Sequence, residues 1–279
     1  MIQKSYDNSA SLYLIPTPIG NFDDITLRAL DTLKFVDVLL CEDTRTTMVL
    51  LKHFNIKKNK LLSCHEYNEF QLVDKVISML NSGLNIGLVT DQGSPIISDP
   101  GFILTREIIN SGFNVISLPG ATAFVPVLSS SGLDSSTFLF YGFLNSKNNK
   151  QITELEKLKD LKFTLIFYES VHRIVDTLKN MLNVFGNRKV CIGREISKIF
   201  EEYIRGNIND VIFNVENMKG EFVIIVEGNN SDVDYSNLDI VEHVKLYLDE
   251  LSEMDAIKKV AKERNVSKSV VYYEYHNRK

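Results

Sequence analysis

Short apolar runs alternate with amphipathic stretches along most of this chain, and a glycine often stands where one gives way to the next. Leu27, Leu30 and Leu33 recur at helical spacing within 24–34, with Asp23 or Asp24 placed to cap that helix. The run 36–41, apolar except for Asp37, reads as a strand buried on both faces. The pattern repeats as a helix over 71–81, a stop at Gly83 and a strand over 86–90. It repeats again as a helix over 102–110, Gly112 and a strand over 115–118. With a first strand at 12–16, these are βαβ units, which require a mostly parallel sheet.

After Pro119-Gly120 a second α/β unit begins, with strands expected at 137–142, 163–168, 189–193 and 221–226 and a polar surface loop at 145–150. The fold class expected is therefore α/β: two α/β domains with mostly parallel sheets, a cleft between them, and a small helical C-terminal tail. The boundaries fall at 12–119, 120–228 and 229–279. A length of 279 residues suits two domains of ordinary size. The tail changes sign along its length. Residues 229–253 hold seven acids, among them Asp232, Asp234 and Glu250, against Lys245 alone; residues 254–279 hold seven bases against three acids. Its last stretch reads as helix, short turn at Asn265–Val266, and a second helix capped by Ser267, a helix-turn-helix-like pattern or a plain basic hairpin.

Composition excludes several classes. Hydrophobic residues at 44% and charged residues at 24% are those of a globular protein. No apolar run approaches the roughly 20 residues of a membrane helix, and the polar start lacks the apolar core of a secretion signal. A cytoplasmic protein is expected. Cys41, Cys64 and Cys191 are odd in number and widely spaced, which indicates buried small hydrophobes and no disulfide or metal site. A net charge of −5 means that a nucleic-acid partner would have to be held by local patches.

In an open parallel sheet, ligands sit beyond the carboxyl ends of the strands. Three loops stand there. Thr17-Pro-Ile-Gly-Asn21 is a tight turn of little bulk. Asp91 to Gly101, DQGSPIISDPG, is longer than an ordinary strand-to-helix turn and dense in Gly, Pro, Ser and Asp. Pro119-Gly-Ala-Thr-Ala123 joins the two halves. Neither G-x-G-x-x-G nor a Walker-type glycine loop is present, which disfavours dinucleotide and nucleoside-triphosphate sites. Charged strand ends add CEDTR (41–45), SCHE (63–66), YESVHR (168–173) and GRE (193–195). Each alone reads as capping or surface pairing; together they suggest the rim of one cleft.

Taken together, YLIPTPIGN (13–21), DITLRAL (24–30), CEDTR, DQGSPIISDPG, LPGATA (118–123), IFYESVHR (166–173), GREISK (193–198) and KGEFVIIVEG (219–228) resemble the tetrapyrrole methylase family of S-adenosylmethionine-dependent enzymes. Within it the chain is similar to the branch that methylates a ribose 2′-hydroxyl of a cytidine in 16S ribosomal RNA of the small subunit. The resemblance implies S-adenosylmethionine in an interdomain cleft, a homodimer, and donor contacts from Pro18, Gly20, Asp91, Gly93, Ser94, Pro95, Ile96, Gly120, Ala121, Thr122, Phe167 and Tyr168. The proton path of such a reaction needs a positioned base, and Asp43, His65 and Glu195 are the candidates. Arg45, Arg173, Arg194 and Lys198 are candidates for holding phosphates, with Glu66 beside the acceptor. Two alternatives stand open: a methyltransferase on a tetrapyrrole precursor, and a non-catalytic RNA- or ribosome-binding protein on the same fold.

Overall fold

The computed structural model describes residues 2–5, 7–58, 60–230, 238–249 and 251–278. Asp232, Asp234 and Glu250 of the acidic stretch lie outside them. Alternation of strand and helix builds the first sheet: β1 (Ser11–Leu14), α1 (Leu27–Phe35), β2 (Val38–Cys41), α2 (Thr44–His53), β3 (Leu61–Ser63), α3 (Glu69–Asn81), β4 (Ile86–Val89), α4 (Phe102–Asn110) and β5 (Asn114–Ser117). The strands lie in the order β3-β2-β4-β1-β5 and every pairing is parallel. β2 and β4 are buried along their whole length, which is why their sequences are unbroken apolar runs.

α5 (Phe124–Ser131) leads into the second sheet: β6 (Phe138–Phe143), α6 (Asn148–Glu156), β7 (Thr164–Ser170), α7 (Ile174–Phe185), β8 (Lys189–Arg194), β9 (Glu202–Asn207), α8 (Ile208–Val215) and β10 (Glu221–Val226). Its order is β6-β7-β10-β8-β9. Over both sheets the pairings are mostly parallel, as expected, but this sheet is mixed. β6 joins β7 parallel, whereas β10 runs antiparallel to β7 and β8, and β9 antiparallel to β8. Only a short, helix-free loop links β8 to β9, and a parallel crossover needs about a dozen residues or more. Val127 and Leu128 of α5 pack on one face of this sheet, against Ile166, Cys191 and Val223. Leu155, Leu178, Met181 and Val211 of α6 to α8 cover the other.

Both sheets belong to one compact unit, Met1–Gly228; Asn229–Lys279 form a second. The second unit contains α9 (Ile240–Lys245), α10 (Glu253–Glu263) and α11 (Lys268–Asn277) around Val244, Ile257, Val260, Val271 and Tyr275. Helix, turn and helix follow in the order read from the sequence, with Asn265 turning the chain at φ 50°. Ser267 stands at the N-cap of α11, its carbonyl accepting from the Val270 amide, but its hydroxyl meets Ser269 and makes no capping bond. Inside this unit the Arg264 guanidinium donates to Nδ1 of buried His243 at 3.0 Å. Arginine can only donate, so the imidazole is neutral there and its Nε2–H faces Glu263 at 3.0 Å.

Other expectations change in detail. Asp23 and Asp24 lie within a 3₁₀ turn, Phe22–Asp24, and Thr26 caps α1 by accepting from the Ala29 amide. The polar loop at 145–150 ends early, because α6 starts at Asn148. Cys41, Cys64 and Cys191 are all buried, as small hydrophobes are.

Candidate active site

The three loops singled out in the sequence meet at the carboxyl ends of the first sheet. Thr17 and Gly93 form an antiparallel bridge outside any strand. Ser94 donates its hydroxyl to the Ala121 carbonyl at 3.1 Å. Gly120 sits so close to Pro16 that an added Cβ would come within 2.2 Å of the proline ring, so any side chain there would push the 119–123 loop off β1. Glu69 of α3, itself buried, accepts from the Gly101 amide at 2.8 Å and fixes the far end of the long loop.

Between these loops and the second sheet lies a cavity of about 470 Å³, lined on one side by Glu42, Asp91, Gly93, Ser94 and Asp99 and on the other by Tyr168, Glu169 and Phe222. A wider hollow of about 710 Å³ adjoins it, sharing Ile19, Thr122 and Ile196 and adding Gly120, Ala121, Lys198 and Tyr203. Both volumes fall in the about 300–1,000 Å³ range of sites for cofactor-sized molecules. The strand-end acids are interlocked through the backbone: the Asp91 carboxylate accepts from the Asp43 amide at 3.1 Å, and Glu42 accepts from the Asp91 amide at 3.2 Å. Burial raises Asp91, with the Asp43 charge adding to it against the Asp43 amide. Burial, with Glu42 and Asp91 alongside, pushes Asp99 up to about 7. Burial also pushes the Tyr168 phenol up to about 12, against the Phe124 amide that favours its ionised form.

Of the residues expected to hold a donor, Asp91, Gly93, Ser94, Thr122 and Tyr168 line the smaller cavity, and Gly120, Ala121 and Thr122 the larger. Pro18 lines a separate hollow of about 240 Å³ with Thr46 and Thr90. Gly20 lies against Lys198, where an added Cβ would strike the lysine stem. Three more of the expected residues line none of these cavities. Phe167 is fully buried on the opposite face of β7 from Tyr168, in the core with Ile174 and Leu178, because neighbours on a strand point to opposite sides. Pro95 is buried, and Ile96, at φ 76°, turns inward against the core of the first sheet. Ile97, Ser98 and Asp99 face the cavity in their place.

The candidate bases are distributed differently from expectation. Asp43 caps α2 and pairs with Arg45 at 2.6 Å. The Arg45 side chain and amide hold its carboxyl down to about 2. Burial raises Glu195, itself at φ 48°, but the Glu221 amide and Lys198 outweigh it, leaving a low carboxyl locked over Gly220. His65 and Glu66 follow the edge strand β3 and line none of these cavities; Nδ1 of His65 is buried without a partner among the described residues. The phosphate candidates are also engaged: Arg173 with buried Glu169 at 2.7 Å, Arg194 with Glu202 at 2.6 Å, and Lys198 with Glu195 and Glu221. Arg45 alone of the four carries a side chain that is 90% exposed. Of the carboxylates facing the cavity, Glu42, Asp99, Glu169 and Glu221 were missed as site residues. For the first two the sequence signal was the strand-end position of Glu42 and the acid density of the 91–101 loop.

The chemistry these groups can perform is to hold a cationic small molecule between small-residue loops and an acidic wall. An α/β fold of this kind is shared with solved corrin and porphyrin methyltransferases. Cobalt precorrin-4 methyltransferase matches with a TM-score of 0.57 at 17% identity, over 81% of this chain and 98% of that one. Uroporphyrin-III C-methyltransferase from Thermus thermophilus matches with a TM-score of 0.55 at 17% identity, over 78% and 94%. The likeness shows the fold: two α/β sheets with a cleft at their edge. The model of the tetrapyrrole (corrin/porphyrin) methylases matches residues 11–212, and the chain belongs to that family. Ribosomal RNA small subunit methyltransferase I of Bacillus subtilis (strain 168) is 44% identical over 95% of this chain and 94% of its own length. The protein of the same name from Escherichia coli O157:H7 is 38% identical over 96% of each. The chain is a methyltransferase of the S-adenosylmethionine-dependent kind. No helix among the described residues is long and apolar enough to cross a membrane.

Proposed function

We propose that this chain transfers a methyl group from S-adenosylmethionine to the ribose 2′-hydroxyl of a cytidine in 16S ribosomal RNA of the small subunit, working as a homodimer in the cytoplasm. One observation carries the choice of acceptor. Relatives named for ribosomal RNA match 95–99% of the chain, whereas the corrin and porphyrin enzymes match 78–81% of it. The dimer rests on the family resemblance.

The donor brings its own activation, a methyl carbon on a positively charged sulfur. The task of the protein is to hold acceptor and donor in line, an effect worth up to about 7–11 kcal/mol. The backbone of Gly93 and the side chains of Asp91, Ser94, Thr122 and Tyr168 are the groups that would grip the donor, with the acidic wall opposite its charge. The wider hollow, continuous with the smaller through Ile19, Thr122 and Ile196, offers the acceptor room on a shared border. Lys198 and the exposed Arg45 supply positive charge for RNA phosphates, with the basic α10–α11 pair as a further docking element.

The test uses radiolabelled S-adenosylmethionine with small subunits from cells lacking this protein, naked 16S RNA and a tetrapyrrole precursor. Label in the RNA, mapped to a ribose, supports the reading. Label in the tetrapyrrole replaces it with the first alternative. Donor binding without any transfer leaves the acceptor class to be replaced.

A further inference from the structure

Among the described residues, the smaller cavity is lined by five carboxylates, Glu42, Asp91, Asp99, Glu169 and Glu221, and by no lysine, arginine or histidine. Two of the five are matched from behind, Glu169 by Arg173 at 2.7 Å and Glu221 by Lys198 at 2.8 Å. Among the described residues no ion pair reaches the other three. Glu42 and Asp91 come from the ends of β2 and β4, and Asp99 from the long loop; Tyr168 faces them from β7, and Arg45, paired to Asp43, is the cation that Asp91 feels. Three acids so placed repel one another and favour keeping one of them protonated near neutral pH. Asp99, half-buried in the long loop, is the group raised most, by desolvation first and then by Glu42 and Asp91.

A methyl donor and its spent form differ at this site by one charge. The sulfonium is a cation, and the thioether left after transfer is neutral at sulfur. An acidic wall distinguishes the two only as far as its own charge is developed. We propose that Glu42, Asp91 and Asp99 make the cleft a proton-linked charge discriminator. The cationic donor binds with release of the Asp99 proton, whereas the neutral thioether binds with that proton retained, so the cleft holds donor more tightly than product at and above neutral pH. The inference rests on S-adenosylmethionine being the ligand of this cavity, as read above, and adds how the site is regulated. It gives the enzyme a built-in means of exchanging product for fresh donor without a conformational gate.

The experiment is titration calorimetry of the full chain with S-adenosylmethionine and, separately, S-adenosylhomocysteine. It is run from pH 6 to 8 in two buffers of different ionisation enthalpy, which reads proton release directly. The donor should release a proton near pH 7 and gain about tenfold in affinity from pH 6 to 8. The product should release less and change under about threefold. Asp99→Asn, checked for folding by thermal unfolding, should abolish the release and flatten the donor profile. Glu42→Gln removes one repelling charge and should move the release to lower pH in a folded protein, whatever Asp99→Asn does. Equal slopes for donor and product, or release that persists in Asp99→Asn, would overturn the inference while leaving the donor reading intact. Failure of both ligands to bind at any pH would overturn both.

Discussion

Thr17 and Gly93 exchange two backbone hydrogen bonds, at 2.8 and 3.1 Å, and so clasp the turn after β1 to the long loop after β4. Two loops some seventy residues apart thereby act as one wall of the cleft. Gly93 holds φ 81°, a region costly to residues with a Cβ, and an added Cβ would press on Ile19 at 3.3 Å. Gly93→Ala should cost about 1–2 kcal/mol of stability and weaken S-adenosylmethionine binding at least tenfold. Thermal unfolding and calorimetry read the two effects. Unchanged donor affinity would mean that this clasp does not shape the donor site.

The Glu69–Gly101 bond makes a second prediction. Removing the carboxylate leaves a buried amide without its acceptor, a loss of about 1–3 kcal/mol. Glu69→Ala should lower stability by that order and loosen the 91–101 loop, seen as faster amide exchange there. Glu69→Gln, which keeps an oxygen acceptor, should recover most of the loss.

Asp99 gives stability a pH dependence of known sign. Its carboxyl is raised in the folded chain, to about 7 from 3.8, so the folded state binds the extra proton. The contribution is complete below the unfolded value and is lost as pH rises through 7. The ligand-free protein should therefore melt at higher temperature at pH 6 than at pH 8 by this group's share. In Asp99→Asn the difference should shrink by about 2–4 °C. A variant with the wild-type pH profile would remove Asp99 as the titrating group.

Asp43 separates a cap from a base. As the cap of α2 its loss should lower Tm by about 2–4 °C, and Asp43→Ser should restore it. As a general base its loss would cost about 10²- to 10⁴-fold in rate. Single-turnover methylation by Asp43→Ser within a few-fold of wild type is the expected result; a drop of a hundredfold would return Asp43 to the chemistry.

Residues 1–228 form a compact unit with both sheets and both hollows. A chain ending at Gly228 should fold and bind S-adenosylmethionine with unchanged affinity, yet lose at least tenfold in methylation of small subunits. Full activity without the tail would remove α10–α11 from acceptor docking.

Periodicity was enough to reveal β1, β2, β4, β5 and most helices of the first sheet, though not the three-residue β3, since βαβ units write themselves as apolar runs, amphipathic stretches and glycine stops. The same pattern left α2 unseen, because CEDTR reads equally as a strand exit and as a helix start. It also left out β9, whose sequence EYIRGN is half polar on an exposed edge.

What the sequence determined by itself was the α/β class, the three loops and, through their resemblance, the family: these depend on residue types at local spacings. Only the tertiary structure decided which charges face the cleft. Phe167 and Tyr168 are neighbours, and the pleat of β7 sends one to the core and the other to the cavity. Asp43, Glu195 and Asp99 are all acids beside strand ends. Asp43 is satisfied by Arg45 two residues away and Glu195 by Lys198 and the Glu221 amide. Asp99 instead is raised first by burial and then by Glu42 and Asp91, acids from separate strands, a meeting that no local spacing records.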